Sequence, residues 1–289
     1  MTSKIKVGII QQGPILDDDR VTLVQKLTQL LNEAGKQGVN IVTLCETALG
    51  PFFPPKLTQK YEHNFISLSD EIIQPIIEAA RNHEMVVILP FAEKDGPYYY
   101  NSAAVIDVDG NVLGKYRKMH LPAIFPSDLP GGTGSYEKLY FSPGNLGFPV
   151  FKTRYGNLGI QICYDRKYPE GSRILALKGA DMIFMPIAAT TYGEQKFRSD
   201  TWSLPIRARA YENGVFVIAA NRVGDENGRV SMGRSMIVSP IGAEVIAEGS
   251  RDKEEILVAD IDLDNVHSAQ KSLPWWRDRR PSEYMELVK

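Results

Sequence analysis

Asn40-Ile41-Val42-Thr43-Leu44-Cys45-Glu46 reads as a buried strand that closes on a carboxylate, and helical periodicity flanks it on both sides. Upstream, Val21, Leu23, Val24, Leu27, Leu30 and Leu31 fall on one face of a helix over residues 18–37, which Gly38 stops. Ahead of that helix, Ile5-Lys6-Val7-Gly8-Ile9-Ile10-Gln11 forms a first strand. Downstream, residues 69–84 carry a second helix and residues 85–92 a third strand. Strand, helix, strand, helix, strand in this order argues for an α/β layered fold with helices packed over a sheet.

Further along, residues 100–107 and 112–116 flank Asp109-Gly110, a hairpin signal. Residues 122–149 are rich in Pro and Gly, and a stretch that long inside a compact domain is more often a functional loop than a linker. After Cys163 come a helix to about Lys178, a strand over residues 181–186, a polar segment, a helix over 200–213 and a strand over 214–221. A second hairpin pairs residues 235–239 with 244–248 across Pro240-Ile241-Gly242-Ala243, and a strand over 256–261 precedes a polar tail. The two halves resemble each other in kind. Two mixed sheets packed face to face with helices outside would bury both. No fixed-period repeat and no composition shift marks a boundary, so residues 1–289 read as one domain with a C-terminal tail from about 264 to 289.

The chain has 289 residues, enough for a large core without staples. Its 33 basic and 35 acidic side chains give a net charge of −2, which argues against a nucleic-acid partner held by phosphate neutralisation. Met1-Thr2-Ser3-Lys4 leads straight into a strand with no signal-peptide pattern, and no run approaches the roughly 18 apolar residues of a membrane span. The expectation is a cytoplasmic protein that binds a small molecule, with no membrane contact. In a reducing compartment Cys45 and Cys163 are two free thiols. Four scattered histidines offer no metal-ligand pair at helical spacing, so no metal and no cofactor are expected.

Cys163 ends the apolar run Leu158-Gly159-Ile160-Gln161-Ile162 and is followed by Tyr164-Asp165-Arg166-Lys167-Tyr168-Pro169-Glu170, a tight turn into a helix. A thiol there lies beside unsatisfied N–H groups and the positive end of a dipole, which favour thiolate; the plainer reading is a buried structural Cys. Glu46 shares a strand face with Val42 and Leu44, so it is either a solvated strand end or a buried carboxylate whose pKa burial raises toward that of a general base. Lys118, among Lys115, Arg117 and His120, is either part of a solvated face or an oxyanion stabiliser alongside the backbone N–H of Tyr164. Glu137 either orients Lys118 and water or pairs with a surface Lys.

Four motifs in order, Leu44-Cys45-Glu46, Tyr116-Arg117-Lys118-Met119-His120-Leu121-Pro122, Tyr136-Glu137-Lys138-Leu139-Tyr140-Phe141 and Ile160-Gln161-Ile162-Cys163-Tyr164-Asp165-Arg166, resemble the Glu, Lys, Glu, Cys signature of the nitrilase, or carbon–nitrogen hydrolase, superfamily. The resemblance covers nearly the whole chain. It implies a four-layer αββα sandwich of two mixed sheets, usually paired as a homodimer or higher homo-oligomer. It also implies Glu46 as general base and acid, Lys118 as oxyanion stabiliser, Cys163 as nucleophile and Glu137 as a supporting carboxylate.

Cys163-Tyr164-Asp165 differs from the Cys-Trp-Glu of true nitrilases, and the run from Cys163 to Gly171 is similar to that of N-carbamoyl amine and amino-acid hydrolases. The reaction so implied releases a free amine, carbon dioxide and ammonia. Rival readings are an ω-amidase acting on a small carboxamide, and a scaffold that keeps the fold without the chemistry. Arg166 either grips a substrate carboxylate, pairs with Asp165 or caps the site. Pocket shape is expected from loops near residues 122–135 and 188–200.

Overall fold

A computed structural model describes residues 3–17, 19–125, 134–190, 199–272 and 276–289. Asp18, Trp275 and parts of both loops expected to shape the pocket, 126–133 and 191–198, lie outside the described residues. The first half runs β1 (Lys4–Gln11), α1 (Arg20–Lys36), β2 (Ile41–Thr43), α2 (Gln74–Asn82), β3 (Val86–Asp95), β4 (Tyr98–Ile106) and β5 (Val112–Arg117). Two short strands, β6 (Ala123–Ile124) and β7 (Ser135–Tyr136), and a single turn, α3 (Glu137–Tyr140), follow within the Pro- and Gly-rich stretch. The second half runs β8 (Val150–Thr153), β9 (Gly156–Ile160), α4 (Pro169–Leu177), β10 (Met182–Ile187), α5 (Ser203–Asn213) and β11 (Phe216–Asn221). After these come β12 (Val223–Glu226), β13 (Arg229–Met232), β14 (Met236–Val238), β15 (Val245–Glu248), β16 (Glu255–Asp262) and α6 (Asp264–Ser272).

Two six-stranded sheets result, ordered β16-β1-β2-β3-β4-β5 and β15-β14-β11-β10-β9-β8. In each, three parallel strands (β1, β2, β3 and β9, β10, β11) are flanked by antiparallel ones. Alternation decides what each strand face meets. Val7, Ile9, Ile41 and Ile88 of the first sheet share one core with Leu158, Ile160, Phe184 and Ile218 of the second. The opposite faces carry Ile10, Val42, Val87 and Leu89 against Leu27 and Leu31 of α1 and Ile76 and Ala80 of α2. Ile183, Met185 and Val217 likewise pack on Leu175 of α4 and Ile206 of α5. The layers are therefore helix, sheet, sheet, helix, the expected αββα sandwich.

Three details depart from the sequence reading. The strand expected to reach Glu46 leaves the ladder after Thr43, because its neighbour β1 ends at Gln11 and the Gln12 side chain accepts from Cys45 N (2.9 Å) in place of a further strand. Cys45 still points between the sheets while Leu44 faces the helices, as alternation requires. The tail is not merely polar: α6 buries Val266 and Ala269, and Pro281–Val288 forms a 3₁₀ helix. The ribbon β12–β13 has no counterpart in the expected elements. Among the described residues, no helix is long and apolar enough to cross a membrane.

Candidate active site

β9 ends at Ile160, and the backbone turns at Cys163, whose φ of +48° lies in the left-handed region, into a 3₁₀ segment spanning Cys163–Lys167. A non-glycine residue there costs about 1–3 kcal/mol and persists only where its surroundings impose it. The buried Asp165 imposes it: Oδ2 accepts from Ile162 N (3.0 Å) and Tyr116 Oη (2.8 Å), while Oδ1 accepts from His120 N (2.9 Å) and contacts His120 Nδ1 (2.8 Å). The result is a sharp corner with the Cys163 thiol partly exposed and Tyr164 in the first turn after it, where backbone N–H groups lack helical acceptors.

Lys118 stands just beyond β5, with Nζ 2.7 Å from Glu46 Oε1 and 2.7 Å from Glu137 Oε2, and all three side chains are buried. Glu46 Oε1 also accepts from Asn101 Nδ2 (2.8 Å), whereas Oε2 has no hydrogen-bond partner among the described residues. The backbone around Lys118 is held on both sides, its N–H donating to Asn101 O (2.8 Å) and its carbonyl accepting from Gly144 N (2.9 Å). A Cβ at Gly144 would meet Arg117 O at 2.2 Å, so only glycine lets that loop pass. The basic run 115–118 is no solvated face. Arg117 forks onto the buried Glu93 through Nε (2.9 Å) and Nη2 (2.7 Å) and stacks on Tyr100.

Electrostatics in the cluster follow from one ammonium between two carboxylates beside a thiol. Burial alone would raise the Glu46 carboxyl, but the Lys118 charge, the hydrogen bonds from Lys118 and Asn101 and the adjacent Cys163 thiol outweigh it and hold the pKa below the ordinary value. That corrects the expectation that burial lifts Glu46 toward neutrality. Glu137 is the carboxyl pushed up, to about 7, by burial and by the nearby Glu46 charge against the pull of Lys118. Lys118 itself is raised: burial opposes its charge, and Glu137 and Glu46 more than restore it. The Cys163 thiol is also raised, by burial and by Glu46, with Lys118 and Arg166 pulling the other way. The resting cluster is therefore an ionised Glu46 and a protonated thiol.

Glu46, Lys118, Glu137 and Cys163, scattered over more than a hundred positions of sequence, thus meet at one place. Arg166 does not pair with Asp165, whose oxygens are taken by Tyr116, His120 and Ile162. Its Nη1 donates to Cys163 O (2.6 Å) and lies 3.6 Å from Sγ, and its guanidinium sits over the Trp202 ring. Asn101, Asp165, His120 and Arg222 belong to the site's framework; His120 and Asp165 lie inside the motifs, but their framework roles carried no signal in the sequence, because most of their partners are distant along the chain. No group of three or more His, Cys, Asp or Glu side chains able to hold a metal occurs among the described residues.

Residues 6–271 match the model of the carbon-nitrogen hydrolase family. The chain belongs to that family. It is 35% identical to an N-carbamoylputrescine amidase of Solanum tuberosum over 94% of this chain and 91% of that one. It is 33% identical to a citrullinase of Francisella tularensis, over 99% of each chain. A crystal structure of a carbon-nitrogen hydrolase from Helicobacter pylori superposes with a TM-score of 0.88, at 33% identity and 99% coverage of both chains. Like its relatives, this carbon-nitrogen hydrolase is an amidohydrolase enzyme built on the nitrilase-superfamily sandwich.

Proposed function

We propose that this amidohydrolase cleaves the C–N bond of an N-carbamoyl amine or N-carbamoyl amino acid through a covalent intermediate on Cys163. The observation that carries the proposal is Lys118 Nζ donating to both Glu46 and Glu137 at 2.7 Å beside the Cys163 thiol. Glu46, ionised and next to a protonated thiol, accepts the Sγ proton as sulfur attacks the ureido carbon. Developing oxyanion charge is met by the Lys118 ammonium and the Tyr164 N–H. Collapse expels ammonia, protonated by Glu46, and leaves the carbonyl, still bonded to the amine nitrogen, on sulfur as an N-substituted thiocarbamate. Water, deprotonated by Glu46, releases the carbamic acid, which falls apart to free amine and carbon dioxide. Overall, one water and one ureido compound give one amine, one carbon dioxide and one ammonia. Glu137 fixes the Lys118 ammonium in place.

Two features support the carbamoyl substrate class over a plain carboxamide. One is the run from Cys163 to Gly171, and the other is the likeness to an N-carbamoylputrescine amidase and a citrullinase. On this reading the enzyme works in the cytoplasm on a small molecule, without nucleic acid, membrane or cofactor, as a homodimer or higher homo-oligomer. The test is product stoichiometry over a panel of N-carbamoyl amines, N-carbamoyl amino acids and dicarboxylic-acid monoamides. Equal yields of ammonia and carbon dioxide are expected from a carbamoyl compound. Turnover of monoamides alone, with ammonia and no carbon dioxide, would make it an ω-amidase, and no turnover by intact protein would make it a scaffold.

A further inference from the structure

The corner that presents Glu46 has little secondary structure of its own. β2 stops at Thr43 and Thr47 adopts φ +50°; beyond it Glu46 N donates to Ile187 O at 3.4 Å and Ala48 N to Pro90 O at 2.9 Å, single bonds to two different strands. Ala48 O accepts from Gln12 Nε2 (3.1 Å) and Leu49 O from Arg20 Nε (3.1 Å), whereas the carbonyls of Glu46, Thr47 and Gly50 converge on one side chain from the far half of the chain, Arg222, which sits fully buried between β11 and β12.

The guanidinium of Arg222 donates through Nη2 to Glu46 O (3.1 Å), Thr47 O (2.7 Å) and Gly50 O (2.8 Å), and through Nε to Glu46 O (3.3 Å). Its Nη1 is paired with Glu226, whose Oε1 also accepts from Ile15 N (2.9 Å). One planar fork therefore gathers three carbonyls of a strained turn, and its charge is balanced by a carboxylate that ties the segment after β1 to the ribbon β12–β13. Lysine, a point charge on a flexible stem, cannot span the same acceptors.

We infer that Arg222, backed by Glu226, is a positioning residue that holds the Glu46 carboxylate in register with Lys118 and the Cys163 thiol. The inference rests on the role proposed for Glu46 above. Arg222 touches no reacting atom; it acts through the backbone of residues 46–50. Misplacement of a reacting group by about 1 Å can cost on the order of 10²-fold in rate, so a loosened turn is felt in turnover before it is felt in binding.

Arg222→Lys is the primary test, because it keeps the buried charge opposite Glu226 and with it the balance that folding needs. Expected are a circular-dichroism spectrum like that of wild type, a lower melting temperature from the carbonyls left unpaired, a kcat lower by about 10- to 100-fold and a KM within about twofold. The second readout needs no substrate: the pH dependence of Cys163 alkylation by iodoacetamide. Glu46 and Glu137 raise the thiol pKa, while Lys118 and Arg166 lower it. A Glu46 that has drifted from the sulfur should move the alkylation midpoint to lower pH. A folded Arg222→Lys with wild-type kcat and an unmoved midpoint would overturn the inference.

Should Arg222→Lys fail to fold, the double variant Arg222→Met with Glu226→Met removes both buried charges together. A folded, slow double variant supports the positioning role, and a folded, fast one overturns it. If neither variant folds, the pair is structural and the inference falls. If wild-type protein hydrolyses none of the panel, the proposed function fails, yet the alkylation comparison still reports whether Arg222 sets the distance between Glu46 and the sulfur.

Discussion

The Tyr116 hydroxyl donates to Asp165 Oδ2 across 2.8 Å, so the end of β5 in one sheet is tied to the Cys163 corner in the other. Lys118 follows Tyr116 by two residues and Asp165 follows Cys163 by two. The bond therefore fixes the distance between the ammonium and the thiol more directly than any contact between the sheets' apolar faces.

Tyr116→Phe should remove that tie and little else. A hydrogen bond to a buried carboxylate is worth about 1.5–3 kcal/mol, and the Asp165 oxygen is left without it. A fall of that size in urea-unfolding free energy is expected, together with a lower kcat and an unchanged KM. Wild-type kcat in a destabilised variant would show that the tie serves stability alone.

Lys118→Met leaves Glu46 and Glu137 facing each other with no cation between them. Loss of an oxyanion donor typically costs about 10²–10³ in rate, and breaking a buried ion pair about 3–5 kcal/mol. We expect both, read as kcat/KM and as an unfolding midpoint. Retention of more than about a tenth of wild-type kcat/KM would remove Lys118 from the oxyanion role.

Glu137 and Glu46 push stability in opposite directions with pH. Glu137 rises from an ordinary 4.5 to about 7 on folding, so the native state binds more protons than the unfolded chain in that window and loses stability as pH climbs through it. Glu46 is lowered, so its contribution is present above the ordinary value and is lost as pH falls through the lowered one. Glu137→Gln should therefore flatten the decline in urea midpoint between about pH 5 and 7 relative to wild type. An identical decline in the variant would mean that Glu137 is not the group titrating there.

Alkylation should separate the two thiols. Cys45 is fully buried, accepts from Gln12 N and has its thiol pushed up to about 12 by burial, while Cys163 is partly exposed. Limiting iodoacetamide should give a single adduct at Cys163 by mass spectrometry, with Cys45 modified only after denaturation. Preferential labelling of Cys45 in native protein would contradict the site.

Much of the fold was legible because periodicity is a local signal. Strand-helix alternation over residues 5–92 and 158–221 reappears as the two parallel cores, and the hairpin at Asp109-Gly110 as β4–β5. The ribbon β12–β13 and strand β8 escaped notice because four-residue strands carry too few alternations to stand out. The helices of the tail were missed for a different reason: their few apolar positions gain meaning only from the surface they cover.

Glu46, Lys118, Glu137 and Cys163 could be named from the order of their motifs. Their pKa values could not. Whether Glu46 was solvated or buried stayed open, and the direction of its shift could not be read, since the Lys118 ammonium that outweighs burial sits seventy-two positions away. Arg166 was similarly open, and the bond it makes to the Cys163 carbonyl depends on a corner no sequence pattern displays.

The chain by itself determined which segments become strands and helices, which faces they bury and which side chain types are available for chemistry, because each follows from residues a few positions apart. Tertiary structure alone decided that the Glu46 carboxyl is ionised, that Asp165 braces the thiol corner and that Arg222 gathers the Glu46 turn. Those are properties of charges and donors brought within about 3 Å in a low-dielectric interior, where a partner's identity and distance outweigh anything local.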